Sequence, residues 1–593
     1  MIKGEKRNAE EKLESQKKKL KIKKSSESTD GKSLNFKKRP FSKQPNEKPD
    51  WNKIKQEKKD LRIKRKKTNT LFDVVMEAKK VFEIVRSKGL KRDISQRTQS
   101  INKLHYMFVG KEQYLKLVFA HDTARIVQFL FKYGHEKIRN EMANELIPIC
   151  GKMIQSKYGR NCFKSMLKYG NHEIRSAAIK KLYGNAIKFT SHLVTALVFE
   201  YAYSTWATTQ QKCDFVQEFF GDIYKQVKDP NIKHLRDVYK NSPNMKMAAL
   251  QATKANLSRV LNKDLLDSGL IQTVLCQYLS ECSPEDKVEL ISQLAPHIVV
   301  ISNSKDGVKA AMQCIWYGNN KDRKVIMKAL KEHIMDLSMH EHGHYTVIAL
   351  LDAVDDTVLL NKMILTKILS DVNSLVQNEH GRKILLWLIA PADSTHFHPL
   401  LINQLAVGRD VSTSKKAVDQ RRQELLNYAM FTLANEVISN TSFWVSTASI
   451  AMVTLSIIKS APSEFLQDVL NAIAKTITNV NWSIKKDESD SEILGVEHSG
   501  LHMILKKVIL HDKVFSEVQK PTFSTSLLNE ISDTTVEKWL TLNRGCFLFV
   551  ILYENNPKII REQLKERVCL HLKELQENHS SGAKLLLKKL QLS

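Results

Sequence analysis

Apolar residues along this chain recur at three- and four-residue steps. In the segment 463–473 they stand at Phe465, Leu466, Val469, Leu470 and Ile473, one face of a helix. Ser283-Pro284-Glu285-Asp286 marks a helix start: a capping Ser, a Pro at the first helical position, acids in the first turn. Sustained period-two alternation is absent. The pattern from Leu71 onward predicts helices joined by short polar turns, and no strands.

The pattern also repeats. Lys132-Tyr133-Gly134-His135-Glu136-Lys137-Ile138-Arg139 returns 36 residues on as Lys168-Tyr169-Gly170-Asn171-His172-Glu173-Ile174-Arg175. A third copy, Trp316 to Arg323, follows 148 residues later, four times 37. Beside it runs a Gly or Thr just before a helix, at Thr123, Gly159, Thr195, Gly269, Gly307, Gly343 and Gly381, with weaker copies at Gly500 and Gly545. The spacings are 36, 36, 74, 38, 36 and 38 for the seven strong copies. A helical period of this length predicts an all-α solenoid, each unit burying its face against its neighbours. The 74-residue step is read as an inserted loop, because Lys228-Asp229-Pro230-Asn231 and Asn241-Ser242-Pro243-Asn244 are turn clusters. The expected division is a tail at 1–70, repeats at 71–228, the inserted loop at 229–256 and repeats at 257–593.

Charge sharpens the picture. The 593 residues hold 93 Lys and Arg against 64 Asp and Glu, a net of +29. Residues 1–70 alone hold 25 against 10, a net of +15, with basic runs at 17–24, 37–40 and 64–67. So basic and so poorly apolar a tail is expected to stay unfolded and to serve as a nuclear or nucleolar address that also grips phosphates. The excess points to a polyanionic partner, most simply nucleic acid. Eight scattered cysteines without a CxxC pair argue against a disulfide framework or a zinc ribbon. No secretory signal or membrane span is expected. Met1-Ile2-Lys3-Gly4-Glu5 leads into charge, and the uncharged run 437–458 carries nine Ser, Thr or Asn among 22 residues.

Several local segments resemble one repeat family. Lys157-Tyr158-Gly159-Arg160-Asn161-Cys162-Phe163-Lys164, Glu341-His342-Gly343-His344-Tyr345 and Glu379-His380-Gly381-Arg382-Lys383 resemble pumilio-type (PUF) repeats at the start of the second helix. With the basic tail, the chain over 70–593 is similar to the divergent nucleolar pumilio-like branch called Puf-A or penguin. The resemblance implies an armadillo-like array of roughly eleven repeats, bent or L-shaped. It also implies RNA binding in large-subunit ribosomal RNA processing.

In that register two positions after the Gly, and one a turn later, face the RNA base. They fall at Ala124, Arg125 and Gln128; Arg160, Asn161 and Lys164; Ala196, Leu197 and Glu200; Val308, Lys309 and Met312. Further on they are His344, Tyr345 and Ile348; Arg382, Lys383 and Leu386; Leu501, His502 and Leu505; Cys546, Phe547 and Val550. Only two of these eight third positions are Gln or Glu, and an aliphatic side chain cannot make the paired hydrogen bonds that identify a base edge. A one-base-per-repeat code is therefore mostly lost. Arg125, Gln128, Arg160, Asn161, Lys164, Lys309, His344, Tyr345, Arg382 and Lys383 are the expected RNA-binding set, with the charges meeting phosphates and Tyr345 stacking. A competing basic face would carry Arg139, Arg175 and Arg323.

His340-Glu341-His342-Gly343-His344 matches the HExxH zinc pattern, but Gly343 marks a helix start and Glu-His-Gly recurs at 379–381. No metal, cofactor or enzymatic activity is expected, and the common phosphate-loop and nucleophile-elbow motifs are absent. The Tyr-Gly pairs read as helix ends with left-handed glycine caps. The expected protein is a monomeric nucleolar RNA binder of low sequence specificity, touching pre-ribosomal RNA and proteins and also DNA. A sequence-selective messenger-RNA repressor and a protein-binding scaffold remain alternatives.

Overall fold

The computed structural model describes residues 51–68, 71–86, 94–110, 113–485 and 492–591. The chain divides into two compact units, Met1–Val74 and Val75–Ser593. In the first, Trp51–Thr68 is a helix of 18 residues, where unfolded tail is expected. Its Lys, Arg, Glu, Gln and Leu are strong helix formers, and Asp60 stands four residues before Lys64. It needs no core: residues 55–61 are all exposed. The basic runs at 17–24 and 37–40 lie outside the described residues; the run at 64–67 falls within this helix.

The second unit is built on a ladder of eleven helices, each packed on the next. In chain order they are α1 (His121–Tyr133), α2 (Gly159–Tyr169), α3 (Leu193–Thr205), α4 (Gly269–Glu281), α5 (Lys305–Tyr317) and α6 (Gly343–Ala353). They continue as α7 (Glu379–Ile389), α8 (Ala448–Ser460), α9 (Ser499–Glu517), α10 (Asn543–Asn555) and α11 (Ser581–Leu590). A longer and then a short helix precede each typical ladder helix, such as Glu136–Leu146 and Cys150–Gln155 before α2. The core follows the helical period: Cys162, Phe163, Met166 and Leu167 of α2 are fully buried, and so are their counterparts in α1, Ile126, Val127, Leu130 and Phe131.

The alternation of Gly and Thr at the repeat anchor has a physical cause. The anchor packs on the residue six positions earlier, in the short preceding helix. A Cβ on Gly381 would lie 2.5 Å from the Leu375 carbonyl oxygen, and one on Gly159 would lie 3.1 Å from that of Met153. Gly307, Gly343 and Gly545 are closed in the same way by Ile301, Leu337 and Trp539. Where the anchor is Thr, its hydroxyl donates to the same carbonyl instead: Thr123 to Leu117 at 2.6 Å and Thr195 to Phe189 at 2.6 Å.

Two anchors are corrected by the burial pattern. In α4 the buried series 271, 274, 275, 278 and 279 matches 159, 162, 163, 166 and 167 of α2, so Ile271 is the anchor rather than Gly269. Gln272 then donates to the Leu266 carbonyl at 3.0 Å, and the step from Ile271 to Gly307 is again 36. In α9 the series 501, 504, 505, 508 and 509 makes Leu501 the anchor, one residue past Gly500. Ladder helices α8 and α11 carry no anchor in the sequence reading; the uncharged stretch is divided among the helices Val418–Ser439, Thr441–Trp444 and α8, and Ile450, Val453, Ile457 and Ile458 of α8 are buried.

The insertion between α3 and α4 is not a loop throughout. Asp237–Lys240 and Met245–Leu261 are helical. The second, of 17 residues, takes the place of the short helix before α4, and α3 packs directly on α4. No ladder helix therefore intervenes. A small antiparallel hairpin, β1 (Ser483–Lys485) with β2 (Glu492–Leu494), departs from the expectation of no strands. Its three-residue strands are too short to show an alternation.

The Tyr-Gly pairs do end helices, but not with left-handed caps. Gly134, Gly170 and Gly318 have φ of −63°, −69° and −64°. Glycine is needed there for space: a Cβ on Gly134 or Gly170 would lie 2.5 Å from the Leu130 or Met166 carbonyl oxygen. The next residue caps the following helix, with Asn171 accepting from the Ile174 amide at 2.9 Å and Asn319 from that of Asp322 at 3.0 Å.

The anchor contact makes a direct prediction. Gly381→Ala forces backbone apart and should cost about 1–3 kcal/mol, as overpacked sites do. Gly151→Ala, whose Cβ would meet only the Phe189 ring at 3.7 Å, should not. Thermal unfolding midpoints of the two variants check this; equal midpoints would contradict it.

Candidate nucleic-acid interface

Positions one, two and five after each anchor line one side of the ladder. In α1 and α2 that side is open and basic. Arg125 and Asn161 are exposed; Gln128, Arg160 and Lys164 are half-buried. Gln128 donates to its own helix at the Ala124 carbonyl, 3.0 Å away. The Lys164 ammonium lies 5.5 Å from the centre of the Tyr201 ring on α3. Burial lowers the pKa of Lys164, and the Arg160 charge beside it lowers it further. Two cations with no carboxylate between them repel, and an anion seated there relieves both penalties.

Sequence reasoning set Tyr133 and Tyr169 aside as helix ends and did not single out Trp206, yet cations stand over aromatic rings along these repeats. Arg97 and Lys132 sit 4.0 and 4.7 Å from the centre of the Tyr133 ring, which is 38% exposed. Lys157 lies 5.7 Å from that of Tyr158, and Arg175 4.1 Å from that of Trp206. The available signal was the Lys-Tyr dipeptide at 132–133, 157–158 and 168–169. Alternating cations and rings suit phosphates and unstacked bases together.

From α5 onward the expected residues have other partners. Lys309 is paired with Asp306 at 3.0 Å, and Lys383 lies 3.9 Å from Glu379. Arg382 donates to the carbonyls of Val376 and Gln377 at 3.1 and 3.2 Å, capping the helix Val372–Gln377. His344 is fully buried, with its pKa pulled down to about 4 by desolvation, so it cannot meet RNA. Tyr345 is half-buried with its ring 3.9 Å from that of His344. The third positions Met312, Ile348, Leu386 and Val550 are all buried.

The cause over α5 and α6 is a helix from elsewhere in the chain. Pro399–Val411 packs across both. Gln404 reaches the Met312 sulfur at 3.7 Å, and Arg409 pairs with Asp352 at 2.8 Å. Gly408 is pressed on Trp316 so closely that a Cβ would enter the ring. Just before this helix, Phe397 lies edge-on to Trp387 of α7, 5.1 Å between centres. The apolar third positions of α5 and α6 are thus core beneath a cover.

The competing face is also corrected. Arg139 donates to the Tyr169 carbonyl at 3.0 Å, Arg175 to Leu167 at 2.8 Å, and Arg323 to Ile315 at 2.9 Å. These guanidiniums satisfy carbonyls at the ends of ladder helices, and Arg323 is 1% exposed. The corrected anchors add Gln272, Thr273 and Cys276 in α4, and His502, Met503 and Lys506 in α9.

The HExxH pattern is broken at its centre. Gly343 begins α6, and His340 sits before it, its Nδ1 accepting from the amides of His342 and Gly343 at 3.2 and 3.1 Å. Among the described residues no group of His, Cys, Asp and Glu is placed to hold a metal, and no helix is long and apolar enough to cross a membrane.

Comparison with known proteins agrees with this architecture. Residues 377–520 match the model of the CPL (NUC119) domain. The chain is 29% identical to protein penguin of Drosophila melanogaster, over 92% of this chain and 85% of that protein. It is 28% identical to human Pumilio homolog 3, over 92% of this chain and 83% of that one. The crystal structure of human Puf-A in complex with DNA superposes with a TM-score of 0.79 at 26% identity, covering 88% of this chain and all of that one. With its eleven stacked helical repeats and its degenerate base-facing positions, the chain is similar to penguin and Pumilio homolog 3 along most of its length and shares the fold of human Puf-A.

Proposed function

We propose that this chain binds RNA, and DNA as well, along α1 to α3, by charge and stacking with little sequence preference. The observation that carries this reading is the Arg125, Arg160 and Lys164 set, which among the described residues makes no ion pair with a carboxylate, with Lys164 beside the Tyr201 ring. The crystallised complex of human Puf-A with DNA supports it as the property of a relative. In the cell we place the protein in the nucleolus as a monomer, on precursor RNA of the large ribosomal subunit and among pre-ribosomal proteins. The tail's +15 and the family resemblance support that placement. No catalytic step is proposed. The messenger-RNA repressor reading is weakened because two of the third positions it needs, Met312 and Ile348, lie buried on helices covered by the chain itself.

Arg160→Glu with Lys164→Glu should weaken binding about tenfold or more for every RNA sequence alike, and lower the salt slope by about two. The melting midpoint should stay within the small range of surface substitutions. Fluorescence anisotropy against salt, beside thermal melting, checks both. Unchanged affinity would contradict the assignment.

Scrambling an RNA of fixed length should change affinity by less than about tenfold, roughly 1.4 kcal/mol. A thousandfold preference in a competition series would contradict low specificity.

Deleting residues 1–70 should abolish nucleolar concentration of a tagged protein while leaving its ladder folded, because few of those residues are apolar. An unchanged nucleolar signal would contradict the tail as the address.

A further inference from the structure

Three arginines hold the same place in their repeats, and one of them is treated differently. Arg139 and Arg175 cap carbonyls and stay half-buried. Arg323 also caps carbonyls, those of Ile315 and Trp316, yet it is 1% exposed. Over it lies the strap 412–417, which runs without helix or strand from Pro399–Val411 to the helix Val418–Ser439. The Arg323 guanidinium donates to the strap, from Nη2 to the Ser412 hydroxyl at 2.8 Å and from Nη1 to that of Ser414 at 3.3 Å.

Among the described residues no carboxylate pairs with this guanidinium. Desolvation lowers its pKa, Asp355 opposes the shift, and the Arg421 charge adds to it. Asp355 is already engaged: it pairs with Arg421 at 2.9 Å and accepts from the Lys415 amide at 2.6 Å. A buried cation without its own counter-charge is costly, and an anion placed against it removes the cost.

The three hydroxyls of the strap are not equivalent. Thr413 donates to the Gly318 carbonyl at 2.8 Å, and Ser414 donates to the carbonyl of Ala353. Ser412 only accepts, from Arg323 and from the Ser414 amide at 3.2 Å. Esterifying its oxygen therefore breaks no bond that the hydroxyl donates within the described chain, and brings oxygens that accept. Ser412 is half-buried, so the strap must lift for an enzyme to reach it.

We propose that Ser412 is a phosphorylation site and that Arg323 receives its phosphate. The co-reactants are a protein serine/threonine kinase and a nucleoside triphosphate. The Ser412 Oγ bonds to the γ-phosphorus, the bond from that phosphorus to the β-phosphate oxygen breaks, and the nucleoside diphosphate leaves. The hydroxyl proton passes to a base of the kinase. The modified strap then returns with negative charge against the buried guanidinium, a charge-assisted pair where a neutral contact stood. The phosphate fastens the helix Pro399–Val411 over α5 and α6. The proposal stands apart from the nucleic-acid reading of α1 to α3.

The test uses the full chain with phosphoserine built in at position 412 or, separately, at 414. Hydrogen exchange across Pro399–Val411 is followed by mass spectrometry. Phosphate at 412 should slow that exchange about tenfold, because opening the strap must now break an added ion pair. Phosphate at 414 removes the donor to Ala353 and should speed it. Arg323→Gln should cancel the slowing, and the comparison of 412 with 414 decides the matter even if that variant fails to fold. Exchange unchanged or faster with phosphate at 412, slowed alike by both phosphates, or still slowed in Arg323→Gln would overturn the proposal. The protein isolated from its own cells with phosphatases inhibited should carry phosphate on Ser412 in peptide fragmentation spectra. An unmodified Ser412, or phosphate confined to Thr413 or Ser414, would overturn it as well.

Discussion

In α1 to α3, α5 to α7 and α10 the anchor meets the residue six positions earlier in the preceding helix, and at that step the chain is packed tightly on itself. Glycine meets the constraint by removing its side chain, as Gly159 and Gly381 do. Threonine meets it by giving the crowded carbonyl a donor, as Thr123 and Thr195 do. The geometry fixes how each ladder helix is rotated, and so which side chains face inward to the core and which face the open side. A rotation of one position would bury Arg160 and expose Cys162. The anchor thus governs both the stacking that stabilises the array and the display of charge that can bind an anion.

The open side is used in two ways. Along α1 and α2 it is open and basic, with Tyr201 of α3 beside Lys164. Over α5 and α6 it lies beneath the helix Pro399–Val411, where Met312 and Ile348 have become core. The apolar side chains at the base-facing third positions of α5 and α6 are therefore the footprint of packing from within the chain. Burial also disposes of the titratable groups there: His344 is held neutral, and Asp352 tolerates burial because Arg409 lies beside it.

Much of this was legible in the residues. The period, the all-helical class and the start of α2 at Gly159 follow from spacing, a local signal, while the basic set on α1 and α2 came from the register that the family resemblance implies. What was illegible depends on partners distant in sequence. Nothing near Arg382 or Arg323 announces that its guanidinium caps carbonyls, and nothing near Met312 announces a helix some ninety residues away. The shifted anchors at Ile271 and Leu501 arose because a nearby glycine, Gly269 or Gly500, imitated the signal. Gly269 faces the Glu200 carboxylate and Gly500 faces Ala448, not the preceding short helix. In both cases the buried apolar series was the better guide, because it reports the whole helix rather than one residue.

The central claim is that nucleic acid lies on the open part of the ladder and not on the covered part. Hydrogen-exchange mass spectrometry of the full chain with and without single-stranded RNA measures this directly. The account predicts slowed exchange in α1 to α3, with α6 and the helix Pro399–Val411 unchanged. Protection centred on α5 and α6, or release of Pro399–Val411 when RNA binds, would contradict it.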